Sequence, residues 1–219
     1  HVVLDIPVGP TAKVRSEEDA RRLTTMLQQV GDACGLNLHI RHTRGGQPVG
    51  RGVGPALEAH DVMGVLRGAV HAPVDLRMRA LNLAGDLLEF CGKATPGTGN
   101  SLAWRLLDSG MAWQKFQGIC EAQGGLHEPP VARIKDPVIA ASSGHISHID
   151  NRRLSRLAKL LGAPITPTAG LTMHVELGDS VQQGMPLLTL HAESTGELSY
   201  AKEYLKSHPI LTISEEAER

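Results

Sequence analysis

The stretch that most constrains the fold is residues 2–13, which read as a buried strand running into a tight loop that ends on a lysine. Val2, Val3, Leu4 and Ile6 form a short β-branched-rich apolar run, the pattern of a strand covered on both faces of an α/β sheet. Pro7 and Pro10 are expected to end the ladder, since neither can donate a backbone hydrogen bond, and Gly9 between them permits a backbone angle that other residues resist. Ser16 reads as a helix N-cap, with Asp19 as the reciprocal acid three residues on. The order strand, loop, helix puts Thr11 and Lys13 at the carboxyl end of the strand, where open α/β sheets bind their ligands. On spacing alone, the commoner outcome for such a loop is a structural turn with a solvated lysine.

The following residues extend the α/β pattern. Ala20, Leu23, Leu27, Val30 and Cys34 recur at helical steps, and Gly35 follows as the closing residue. Leu36, Leu38 and Ile40 then alternate with polar residues as a second strand, which completes a βαβ unit. Residues 43–54 are expected to be a loop rich in glycine (Gly45, Gly46, Gly50, Gly52, Gly54) that fits neither the dinucleotide nor the P-loop fingerprint. Glycines needed for a tight turn are the better reading of it, and Arg44 and Arg51 there are read as solvated.

Helical patterns follow, with Pro55 in the first turn of one, Pro73 opening the next and Asn100 capping a third. Trp104, Trp113 and Phe116 are expected in the core of this helical scaffold. A Pro129-Pro130 linker then leads to short strands at 131–134 and 137–149. Asp150 is expected to cap a helix bearing Leu154, Leu157 and Leu160, and further strands are expected at 171–175, 186–191 and 209–213. Residues 197–206 read as a last helix and 214–219 as a fraying charged tail. The expected fold is therefore α/β with a mixed sheet and flanking helices over residues 1–130, followed by a smaller α+β domain over 131–219.

Composition narrows the function. A net charge of -1 and 3% aromatic residues argue against nucleic acid and anionic membrane as partners. Three widely spaced cysteines give no disulfide framework and suit a cytoplasmic protein. No apolar run is long enough to span a bilayer. Of the eleven histidines, the pairs His39/His42 and His145/His148 are spaced so that a strand points their members to opposite faces, and no metal site is expected. No nucleophile elbow or triad is visible, so no catalytic residue is assigned. The visible chemistry reduces to Lys13 with Thr11, an ammonium fixed at the mouth of a sheet.

Residues Asp5-Ile6-Pro7-Val8-Gly9-Pro10-Thr11-Ala12-Lys13, with Gly46-Gln47-Pro48-Val49-Gly50 and Gly54-Pro55-Ala56-Leu57-Glu58, resemble the thymidine phosphorylase family. The resemblance is to its type 2 branch, which includes AMP phosphorylases, and to the back half of that family's length. Gly178-Asp179-Ser180-Val181-Gln182-Gln183-Gly184-Met185-Pro186-Leu187 is similar to barrel-sandwich hairpins of biotinyl and lipoyl carriers and to the C-terminal domain of pyrimidine nucleoside phosphorylases. A carrier needs a lysine at the hairpin tip, and residues 171–190 contain none, so only the hammerhead-like fold expectation survives.

The resemblance implies a pentosyltransferase, a glycosyltransferase of pyrimidine salvage. It would phosphorolyse the N-glycosidic bond of a thymidine-like nucleoside or a nucleoside monophosphate, with inorganic phosphate as co-substrate and no cofactor. It also implies a homodimer, substrate contacts from Lys13 and Thr11, a glycine-rich loop beside the nucleoside cleft, and phosphate-site and general-acid residues upstream of His1. Because His1 falls in a strand pattern, the chain is expected to be part of a longer protein and inactive alone. The alternative is a non-catalytic scaffold or ligand-binding module.

Overall fold

The computed structural model describes residues 1–215. Its elements in chain order are β1 (Val2–Val8), α1 (Glu17–Ala33), β2 (Leu38–Arg44), β3 (Gly52–Val53), α2 (Pro55–Leu66), α3 (Val74–Phe90), α4 (Gly99–Asp108) and α5 (Met111–Ala122). They continue with β4 (Ile134–Ile139), β5 (Gly144–Ile149), α6 (Asn151–Leu160), β6 (Gly170–Met173), β7 (Ser180–Val181), β8 (Pro186–Ala192), α7 (Thr195–Ser207) and β9 (Leu211–Ser214). The chain is a mixed α/β protein with several sheets. It forms two compact units, one of His1–Gly45 with Val62–His127, the other of Gly46–Asp61 with the chain from Glu128 on. Residues 46–61, expected with the first domain, therefore group with the second.

In the first unit β1 and β2 pair in parallel from Val2↔Leu38 to Val8↔Arg44. Contrary to expectation, β1 runs through Pro7. In a parallel ladder alternate residues face the partner strand. Here Val2 N–H donates to Asn37 and Val8 C=O accepts from Gly45 N–H, so the even-numbered residues face β2 and the proline nitrogen points away from it. Ser16 caps α1 as expected: its oxygen accepts from Asp19 N–H at 3.1 Å while its hydroxyl meets the Asp19 carboxylate at 2.9 Å. Gly35 takes a left-handed φ of 68° past the helix end.

The inward face of α1 starts at buried Ala20 as expected but departs from the expected one at its end, where Val30 and Cys34 are exposed and Gly31 is buried. A Cβ on Gly31 would come within 2.6 Å of the Leu38 side chain, so glycine lets β2 approach the helix backbone. His39 and His42 do point to opposite faces: His42 meets Thr24 and Glu17 on α1, and His39 lies 3.7 Å from Asp86 on α3.

Asn100 does not cap α4. Gly99 precedes it in the helix and donates its N–H to the Glu89 carboxylate at 2.7 Å, so a side chain on α3 supplies the cap. Trp104 and Trp113 are half-buried rather than core, with Arg77 and Arg67 each 4.6 Å above a ring.

The second unit holds the larger core. A four-stranded sheet, β3-β6-β8-β4, and a three-stranded sheet, β7-β5-β9, are antiparallel throughout. Ile146, Ile149, Leu154, Leu157, Leu161, Leu171, Val181, Leu188 and Leu190 are the largest side chains fully withdrawn from solvent, and all lie here. Asp150 caps α6 by accepting from Arg152 and Arg153 N–H, which presents Leu154 and Leu157 to that core. The single strand expected over 137–149 is two, broken at 140–143 before Gly144, whose φ of 154° and closeness to the Ser214 backbone leave no space for a side chain. Ser214, expected in the tail, ends β9 opposite His145, and residues 216–219 lie outside the described residues.

Candidate functional site

β1 delivers its loop where Val8 C=O accepts from Gly45 N–H at 2.8 Å. The loop is closed by Gly9 N–H to Val14 C=O at 3.1 Å and Ala12 N–H to Gly9 C=O at 3.0 Å. Beyond it Lys13 is exposed and among the described residues has no ion-pair partner. With Val14, Arg15, Asp19, Arg22, Leu23 and Met26 it lines a concavity of about 440 Å³. Three cations share this hollow with one carboxylate, and Asp19 is 3.6 Å from Arg22, so the positive charge is incompletely balanced and favours an anion. Thr11 is half-buried and is not one of the lining residues. The structure thus places Lys13 on a concavity and does not bring Thr11 into it.

The glycine-rich stretch is folded onto the second unit. Arg51 and Gly52 N–H both donate to the Asp61 carboxylate at 2.7 Å, Gly54 N–H to Glu58 at 3.1 Å, and Leu177 N–H to the Gln47 side chain at 2.7 Å. A Cβ on Gly52 would meet the Leu57 backbone at 2.5 Å, and one on Gly54 would collide with the Ala169 carbonyl. These glycines serve close packing, as their spacing predicts. Residues 52–53 form the edge strand β3, whose two-residue length hides it from pattern reading. Gln47, Arg51, His174, Glu176 and Asp179 border a second hollow of about 290 Å³ within this unit.

The fold brings together a pair of histidines that are distant in sequence. Thr172-Met173-His174, at and just past the end of β6, and Thr189-Leu190-His191 on β8 repeat one Thr-x-His pattern on paired antiparallel strands. Their side chains cross-bond, His174 to Thr189 at 2.8 Å and His191 to Thr172 at 3.0 Å. His191 is 6% exposed, and burial first, then Lys135 and His174, lowers its pKa from 6.5 to about 4. Burial and then Arg51 also lower that of His174. The repeat itself was the available signal. Among the described residues no group of three His, Cys, Asp or Glu side chains is arranged to hold a metal ion, and no helix is long and apolar enough to cross a membrane.

Residues 145–210 match the family described as pyrimidine nucleoside phosphorylase C-terminal domain. The whole chain is similar to curated relatives. It is 57% identical over 218 residues to "Putative thymidine phosphorylase 1" of Acidovorax sp. (strain JS42), covering 99% of this chain and 43% of that protein. It is 56% identical over 208 residues to "Putative thymidine phosphorylase 1" of Cupriavidus necator, covering 95% and 40%. It is 53% identical over 213 residues to "Putative thymidine phosphorylase" of Legionella pneumophila (strain Corby), covering 97% and 41%. The chain therefore spans about two fifths of the length of these relatives and, along nearly all of its own length, is similar to proteins named putative thymidine phosphorylase.

Proposed function

We propose that this chain is part of a cytoplasmic pentosyltransferase that phosphorolyses the N-glycosidic bond of a nucleoside or nucleoside monophosphate. Inorganic phosphate attacks the anomeric carbon, a carbon–oxygen bond forms there, and the carbon–nitrogen bond breaks with its electron pair leaving on the base. The products are free base and sugar 1-phosphate, and no cofactor takes part. In this reading Lys13 and Thr11 contact the substrate, and Lys13 meets a phosphate oxygen as a compact charge. The phosphate-holding and proton-donating groups belong to the part of the relatives' length that the chain does not span, so the chain alone would turn nothing over. The active protein is a homodimer, the second unit is its barrel-sandwich domain, and the family's division falls near residue 130.

The observation that carries this reading is the identity of 57% along 99% of the chain to the protein named "Putative thymidine phosphorylase 1". The cationic hollow around Lys13, Arg15 and Arg22 supports the AMP phosphorylase type over one restricted to uncharged nucleosides. The test incubates the full-length protein containing this chain with phosphate and a panel of nucleosides and nucleoside monophosphates, and follows free base by chromatography. Release from at least one member is expected. No base from any member would leave the non-catalytic scaffold or binding module as the reading.

A further inference from the structure

We propose that Arg79, on α3, is a positioning residue for the β1–α1 loop; its link to substrate rests on the reading of Lys13 above. Arg79 joins the middle of β1 to the carboxyl end of β2 through its guanidinium. One nitrogen donates to the Asp5 carboxylate of β1 at 2.7 Å and to the Thr43 hydroxyl of β2 at 2.7 Å. The other donates to the backbone carbonyl of Arg44 at 2.9 Å. The Thr43 hydroxyl in turn donates to the second Asp5 oxygen at 2.6 Å, which closes the cycle. The Arg79 and Asp5 side chains are only 19% and 21% exposed, so water does not readily replace these partners.

The next residue carries the constraint into the loop. Gly45 N–H holds Val8 C=O, and its missing side chain faces the Pro7 and Val8 backbone at 3.0 Å and the Ala12 methyl at 3.1 Å. The loop bearing Thr11 and Lys13 rests on Gly45, and Arg79 fixes the carbonyl immediately before it. A half-buried ion pair adds little net stability once desolvation is counted, so its larger effect is on geometry. The planar fork suits this role because its two terminal nitrogens hold acceptors of both strands in fixed directions, whereas a lysine offers one nitrogen on a flexible stem. α3 continues the contact with Asp86 to Arg41 at 2.6 Å, so docking of the helix does not depend on Arg79 alone.

The test compares the full-length protein with Arg79→Lys and Arg79→Met. Amide hydrogen exchange is read at residues 9–13 and at 44–45, and apparent kcat and KM for the best substrate of the panel are measured alongside. Loss of the fork is expected to speed exchange at residues 9–13 by about tenfold, the size of one charge-assisted hydrogen bond. Amides in the middle of α1 and α3 keep their wild-type rates. KM is expected to rise more than kcat falls, with Arg79→Lys intermediate. Unchanged exchange at residues 9–13, or acceleration spread evenly over α1 and α3, would overturn the assignment. If the wild-type protein releases no base, the functional reading fails while the exchange data still decide the role of Arg79. If Arg79→Met does not fold, Arg79→Lys supplies the comparison.

Discussion

Acidification should destabilise the protein through one buried imidazole. His191 is neutral in the fold, 6% exposed, with its Nε2 bonded to Thr172 and its Nδ1 without a partner among the described residues. Protonation there adds a charge that burial disfavours, beside the cation of Lys135. In the unfolded chain the same group takes its proton near 6.5, whereas in the fold it resists until about 4. Between those values the unfolded state binds more protons, so stability is present above pH 6.5 and is lost as pH falls towards 4. At 1.36 kcal/mol per pH unit, the full effect is about 3 kcal/mol. That is a large part of a typical domain stability of about 5–15 kcal/mol. Urea unfolding of the protein and of His191→Gln at pH 7, 5.5 and 4 measures it. The glutamine variant keeps a donor for Thr172 and cannot titrate, so its stability should fall less on acidification, with a gap of about 3 kcal/mol at pH 4. Parallel pH profiles for the two proteins would refute the reasoning.

Two further substitutions test the packing. Leu157→Ala empties a site that is 0% exposed at the centre of the second unit's core, and should lower unfolding free energy by about 2–5 kcal/mol in urea titrations. Gly45→Ala sets a methyl against backbone at 3.0 Å on one side and the Ala12 methyl on another. It should cost about 1–3 kcal/mol and shift the amide resonances of residues 7–12, whereas an unchanged spectrum would mean the loop does not rest there.

The parts of the fold legible in the sequence are those written locally. Ser16, Gly35, Pro55 and Asp150 each act within a few residues of themselves, and each sits at the helix end its chemistry predicts. The failures come where a distant partner decides. Pro7 stays in its strand because its nitrogen faces away from β2, the strand paired with β1 among the described residues, which no local rule can see. Glu89 displaces Asn100 as the cap of α4 from another helix. Residues 46–61 join a unit most of which lies more than sixty residues later in the chain.

The candidate site shows the same division. Lys13 could be singled out because a strand, two prolines and a cap bracket it. Arg79 could not, since nothing near it in sequence points to Asp5, which is 74 residues away. The Thr-x-His repeat was visible but became meaningful only when strand pairing set Thr172 opposite Thr189.

The most direct test is the kinetic effect of Lys13→Ala in the full-length protein, measured with a nucleoside monophosphate and with the matching nucleoside. If the ammonium meets a phosphate, KM for the nucleotide should rise at least about tenfold, as for loss of one charge-assisted hydrogen bond, with a much smaller change for the nucleoside. Equal effects on both substrates, or none on either, would contradict the account.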